Sequence, residues 1–192
     1  MTSGSLHYFS AFSRDPEGGN PAGVWVGDVL PAPEVMQRIA ADVGFSETAF
    51  VAPASGRERT VRYYSPEAEV SFCGHATIAT GVVLGESEGD RTYQLATAVG
   101  NIPVSVRTQD GIRVASLTSV KPTYTSANDE LVSEALTTLG WEWADLDNSI
   151  PPAKAYAGAW HLILAVADEN RLSKLDYSFD GLKALMLREG IT

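Results

Sequence analysis

The sequence predicts an α+β fold, mostly short strands with single helices set between them. Two observations carry this reading. Strand-sized runs rich in β-branched and aromatic residues alternate with Gly, Pro and Asn turn clusters through the first two thirds of the chain. Pro33 to Val43 breaks that pattern, with Val35, Met36, Ile39, Ala40 and Val43 at helical spacing. Composition agrees: 192 residues, 44% hydrophobic and 20% charged, exclude a disordered, collagenous or coiled-coil chain. A chain of this length buries roughly 70% of its unfolded surface, so it needs no disulfide or metal staple.

Taken in order, Leu6 to Phe12 alternates as a strand, Gly18-Gly19-Asn20-Pro21 is a turn, and Ala22 to Val26 is a short apolar strand. The helix from Pro33 has proline at its start and Gly44 after its end. Thr48 to Val51 and Thr60 to Tyr64 read as strands, and a strand ends near Phe72. Cys73-Gly74-His75 then opens an apolar helix, Ala76 to Leu84. Strands follow at Thr92 to Ala98, Ile102 to Arg107 and Ile112 to Leu117. A composition shift at Val120 to Asn128 marks a domain boundary, giving domains 1–120 and 121–192. Beyond it the reading is a helix over Asp129 to Leu139, a strand pair within Ala155 to Ala167, and two short helices. The second domain is too short to hold much core of its own, so it is expected to be incomplete or completed by a partner chain.

Charge narrows the partners. With 14 Lys+Arg against 24 Asp+Glu the net charge is −10, which repels phosphate backbones and anionic lipid. Nucleic acid and membrane are therefore not expected as partners. Met1 to Phe12 lacks the apolar stretch of a signal peptide, and the longest apolar run, Leu162 to Ala167, is far short of a bilayer span. The single cysteine, Cys73, suits a reducing compartment, so the expected location is cytoplasmic.

Chemistry concentrates in two segments. In Gly44-Phe45-Ser46-Glu47-Thr48-Ala49-Phe50-Val51, Glu47 is a carboxylate among apolar neighbours. Burial of those neighbours raises its pKa toward neutrality and makes it a general acid/base; otherwise it is an exposed strand or helix-end carboxylate. His75 lies where the helix opens, beside free N–H groups that favour an anion, with Gly74 allowing close approach. It is either a donor to a substrate carboxylate or enolate oxygen, or a capping residue. Cys73 is either a thiol of lowered pKa or a small buried hydrophobe, the second being preferred. His7 and His161 stand at no ligand spacing to Cys73 and His75, and no paired carboxylates lie nearby, so no metal is expected. Gly18 to Gly23 lacks the Lys-Ser/Thr of a phosphate loop and reads as a turn, with Asn20 able to project an amide into a site. Trp25, Trp141, Trp143 and Trp160 read as core or interface.

Four segments in this order and spacing resemble one family: Asn20-Pro21-Ala22-Gly23-Val24, Gly44 to Phe50, Arg62-Tyr63-Tyr64-Ser65-Pro66-Glu67-Ala68-Glu69-Val70, and Cys73-Gly74-His75-Ala76-Thr77. The chain is similar to the PhzF family of phenazine-biosynthesis-like isomerases, relatives of diaminopimelate epimerase. The match is close over roughly the first 110 to 120 residues. It implies a diaminopimelate-epimerase-like lobe, a curved and mostly antiparallel sheet around a central helix, plus a partial second lobe. It also implies an active site in the cleft between lobes and no metal or organic cofactor. A glutamate, matched here by Glu47, moves a proton between carbons of a small carboxylate substrate. His75 and Gly74 match substrate-binding positions, and Asn20 and Ser46 are wall residues.

Two departures from the family pattern matter. Cys73 stands where related epimerases and racemases carry one thiol of a pair, but a second cysteine is lacking, which leaves it as a packing residue. Family members are longer, and their second lobe carries a run of the type Glu-Asp-Pro-x-Thr-Gly-Ser-Ala-His that does not occur here. The expectation is therefore a PhzF-type isomerase or epimerase working as a homodimer or with a complementary chain. The alternative is an inactive ligand-binding or interaction protein of the same ancestry.

Overall fold

The computed structural model describes residues 3–15, 17–54 and 58–191, which form two compact units, residues 1–120 and 121–192. In the first unit β1 (Gly4–Ala11) and β2 (Asn20–Gly27) make an antiparallel hairpin. Helix α1 (Pro33–Val43) then leads to β3 (Thr48–Pro53), which lies parallel to β2. Strands β4 (Glu58–Tyr64) and β5 (Glu69–Val70) fold back antiparallel. Helix α2 (Gly74–Glu88) carries the chain to β6 (Thr92–Thr97), parallel to β4, and β7 (Gly100–Gln109) and β8 (Ile112–Leu117) close the sheet as a meander.

The sheet runs β1-β2-β3-β4-β6-β7-β8, with β5 on β4. Its outermost strands β1 and β8 both touch α2, so the sheet curls around that helix. Burial explains the helix's composition. His75, Ala76, Thr77, Ala79, Thr80, Gly81, Val83, Leu84 and Gly85 are buried around its circumference, and only an all-apolar or small-residue helix can be enclosed on every side. Gly81 and Gly85, one turn apart, let it approach β7: a Cβ on either would lie 2.6 Å from a methyl of Val104 or Val106. Ala22, Val24, Val51, Val61, Tyr63, Leu95 and Ile102 complete this core.

The second unit is a three-stranded antiparallel sheet with two main helices. It contains β9 (Thr123–Ser126), α3 (Asp129–Leu139), a 3-10 turn (Trp143–Asp145), β10 (Ala153–Tyr156), β11 (Trp160–Ile163), α4 (Glu169–Ser173) and α5 (Phe179–Glu189). The strand order is β11-β10-β9. Asn128 caps α3 by accepting the Leu131 N–H at 2.8 Å, and Gly140 ends it in the left-handed region. Leu131 and Ala135 of α3 pack on Leu185 of α5 and on Ile191.

Several boundaries differ from the sequence reading. Phe12 adopts a φ of 65° and leaves the sheet, so β1 ends at Ala11. Helix α2 starts at Gly74 rather than Ala76, and the strand expected to end near Phe72 is only the two-residue β5. The stretch taken as a boundary contains β9, whose four residues are all exposed and show no alternation of polarity. Trp25 and Trp141 are buried, but Trp143 is exposed.

Candidate active site

Glu47 is placed by the end of one element and the start of the next. Helix α1 stops at Gly44, whose φ of 72° only glycine adopts freely and whose N–H donates to Ala40 O. Phe45 then packs edge-on against Tyr8, with ring centres 5.8 Å apart. The Glu47 carbonyl accepts the Gly23 N–H at 3.2 Å, locking the residue beside β2 as β3 begins. Because β2 and β3 are parallel, Asn20 and Glu47 come at the same end of the sheet, and Asn20 is exposed there.

His75 is placed by the N-terminus of α2. The Arg62 to Val70 motif supports the approach to it: Arg62 Nε and Nη2 donate to the two oxygens of Glu69 at 2.7 and 2.5 Å, and Tyr64 OH donates to the same carboxylate. That ion pair holds Glu69's carboxyl below the usual carboxylate range. Cys73 caps α2 without a side-chain cap bond. Its carbonyl instead accepts Thr77 Oγ1 at 2.6 Å, and Thr77 in turn accepts the Tyr63 hydroxyl at 2.7 Å. Tyr63 is raised above its ordinary pKa by burial, so it stays a phenol donor.

These two placements bring the acid and the imidazole together. Glu47 Oε2 lies 3.4 Å from His75 Nε2, with side chains 22% and 10% exposed, and Ser46 Oγ lies 3.4 Å from the same nitrogen. Cys73 Sγ lies against the same ring, 3.2 Å from Nδ1 and 3.9 Å from Nε2. Burial, then the Glu47 charge, push the Cys73 thiol up to about 12, against the pull of the Ala76 and His75 amides. Gly74 has open space on its Cα. The chemistry available is a carboxylate beside an imidazole donor, at a helix N-terminus with room over Gly74.

Glu47, Cys73 and His75 offer ligand atoms within 4.8 Å of one another, a convergence that sequence spacing did not reveal. Glu47 Oε2 lies 3.4 Å and Cys73 Sγ 3.9 Å from His75 Nε2, with the sulfur 3.2 Å from Nδ1, so carboxylate and sulfur converge on the same ring. Tyr63 and Thr77 are members of the site's support that sequence reasoning passed over. Both lie in quoted motifs, and the alternation of Val61 and Tyr63 is the signal that turns Tyr63 inward.

An α2-type helix wrapped by a curled mixed sheet, with these side chains at its N-terminus, defines an epimerase-like fold. The phenazine biosynthesis-like protein family, PhzC-PhzF, matches residues 9–192, and the chain belongs to that family. An uncharacterized isomerase of Bacillus subtilis is 32% identical over 160 residues, covering 81% of this chain and 54% of the relative. The trans-2,3-dihydro-3-hydroxyanthranilate isomerase of Pseudomonas fluorescens is 32% identical over 168 residues, covering 86% of this chain and 58% of the relative. The chain thus spans somewhat over half the length of these curated relatives. Among solved structures, a phenazine biosynthesis protein of the PhzF family from Bacillus anthracis superposes with a TM-score of 0.74 at 27% identity, covering 95% of this chain and 62% of that one. A predicted epimerase of Pseudomonas aeruginosa gives a TM-score of 0.84 at 19% identity, covering 98% of this chain and 68% of that one, which speaks for the fold alone.

Proposed function

We propose that this chain acts in a cofactor-independent isomerisation or epimerisation, moving a proton between carbons of a small carboxylate substrate with Glu47 as general acid/base. The observation that carries this is the Glu47 Oε2 to His75 Nε2 approach of 3.4 Å at the N-terminus of α2. Glu47 takes a proton from a carbon made acidic by a conjugated carboxylate or carbonyl and returns it to another carbon. The negative charge that develops on the substrate oxygen meets the free amides around Gly74 and a His75 donor. Ser46 and Asn20, at the same end of the sheet, hold the substrate's polar groups. Membership of the family and the likeness to relatives named isomerases support the reaction class.

The test is incubation with trans-2,3-dihydro-3-hydroxyanthranilate, the compound named for one relative, in deuterated buffer. Deuterium appearing in recovered ligand with the wild type, and not with Glu47→Gln, is the expected result. Ligand that binds but gains no deuterium makes the chain a binding protein instead.

A further inference from the structure

The carbonyl of Cys73 is held by more donors than a helix start requires. It accepts the Thr77 N–H at 3.0 Å, the ordinary helical bond, and the Thr77 hydroxyl at 2.6 Å as well. Thr77 Oγ1 has one hydrogen and spends it on that carbonyl, so the 2.7 Å contact with Tyr63 is donated by the phenol. Tyr63 and Thr77 are both buried, which keeps water out of this chain of bonds. Cys73 O belongs to the same peptide group as the Gly74 N–H. Hydrogen bonds to a peptide oxygen draw the nitrogen lone pair toward it, and the N–H becomes a stronger donor. Gly74 is the first residue of α2, so its N–H meets no helical carbonyl, and the space over its Cα is open.

We infer that Thr77 and Tyr63 are positioning residues, which polarise the Cys73–Gly74 peptide and strengthen the Gly74 N–H as a donor to the anionic oxygen of the substrate. Neither side chain touches the substrate. Both act through the carbonyl, while the amide of the same peptide meets the charge that develops when Glu47 removes a proton. Thr80 supplies the comparison. Its hydroxyl bonds Ala76 O at 2.8 Å, but the N–H of that peptide, on Thr77, is already spent on Cys73 O. The same kind of bond there serves only the helix. The consequence for turnover rests on the proposed isomerisation, whereas the polarisation of the peptide does not.

The experiment is triple-resonance NMR of the labelled full chain without substrate, set beside the deuterium assay. A carbonyl that loses a hydrogen bond moves its own ¹³C signal, and the ¹⁵N signal of its peptide, upfield. The expected result is an upfield shift of the Cys73 carbonyl carbon and the Gly74 nitrogen in Thr77→Val, with a smaller one in Tyr63→Phe. Thr77→Ser, which keeps the hydroxyl, returns both signals to near their wild-type positions, and Thr80→Val moves them little. In turnover, kcat falls about three- to tenfold in Thr77→Val with KM little changed, because the charge develops only in the transition state. Thr77→Ser restores kcat, and Thr80→Val keeps it. Tyr63→Phe removes only the outer donor, so a folding defect in Thr77→Val leaves the comparison intact. Unchanged Cys73 and Gly74 signals in Thr77→Val, or shifts as large in Thr80→Val, overturn the inference whatever the enzyme assay reads. An unaltered kcat in Thr77→Val beside a shifted Gly74 signal overturns it too. A wild type that binds the compound but exchanges no deuterium overturns the isomerisation instead, and the NMR comparison then decides the polarisation alone.

Discussion

Glu47 Oε2 rests 3.4 Å from His75 Nε2, although β3, β4 and β5 separate the two residues in the chain. The pairing is built by two backbone devices, the Gly23–Glu47 hydrogen bond beside β2 and the start of α2 at Gly74. Neither side chain is needed to hold the other. The first prediction follows from that independence. Glu47→Gln lowers deuterium exchange into the substrate by about 10²–10⁴-fold while the thermal unfolding midpoint moves by no more than a few degrees. A large loss of thermal stability in the variant refutes the independence.

Much of this was legible locally, and the limits of legibility are physical. Helix α1, helix α3 and strand β8 could be read because each carries its own period and its own stop signals, such as Pro33 and Gly44 around α1. Pairing is not a local property, so the parallel contacts of β2 with β3 and of β4 with β6 were invisible. Glu47 and His75 were singled out from their neighbours and from motif order. Their juxtaposition depends on where α2 lands inside the sheet. Strand β9 was hidden for the opposite reason: with all four residues exposed it has no buried face to write a pattern.

The buried chain Tyr63 OH to Thr77 Oγ1 to Cys73 O gives a second prediction. Thr77→Val keeps the shape but strands the Tyr63 phenol in the core, while the Cys73 carbonyl keeps the Thr77 N–H at 3.0 Å, at a cost of about 1–3 kcal/mol. Tyr63→Phe removes only one end and costs about 1 kcal/mol, because Thr77 still bonds the carbonyl. Urea unfolding of both variants and the double variant measures this. Once Thr77 is valine, replacing Tyr63 by Phe relieves an orphaned hydroxyl, so the double variant is less destabilised than the sum. Simple additivity refutes the coupling.

The approach of α2 to β7 supplies a third. Alanine is favoured over glycine in a helix interior by about 1 kcal/mol, so Gly81→Ala on an open helix stabilises. Here the new Cβ meets Val104 Cγ1 at 2.6 Å and Ala115 Cβ at 3.0 Å, inside a packed core. Overpacking outweighs propensity, and Gly81→Ala destabilises by about 1–3 kcal/mol. Adding Val104→Ala removes the nearer obstacle and recovers part of the loss. Chemical denaturation showing Gly81→Ala neutral or stabilising means the helix sits further from β7 than described.

The last prediction concerns alkaline pH. Burial first, and the Glu47 charge second, raise the Cys73 thiol from its ordinary 9.0 to about 12 in the folded chain. Between those values the unfolded chain has lost the thiol proton and the folded chain has kept it. The stability linked to this group is therefore fully present below pH 9 and is lost as pH rises toward 12, with a limiting slope of about 1.4 kcal/mol per pH unit. Tyr63, also raised by burial, adds a slope of the same sign only above its ordinary 10.0. The difference in unfolding free energy between wild type and Cys73→Ala isolates the thiol. It is flat from pH 7 to 8.5 and shifts against the wild type above pH 9. Reactivity gives an independent reading: at pH 7.5 the folded chain holds Cys73 as a buried thiol, so iodoacetamide labels it far more slowly than in urea. Equal labelling rates folded and unfolded, or a difference that stays flat through pH 10, mean that the thiol ionises as freely in the folded chain as in the unfolded one.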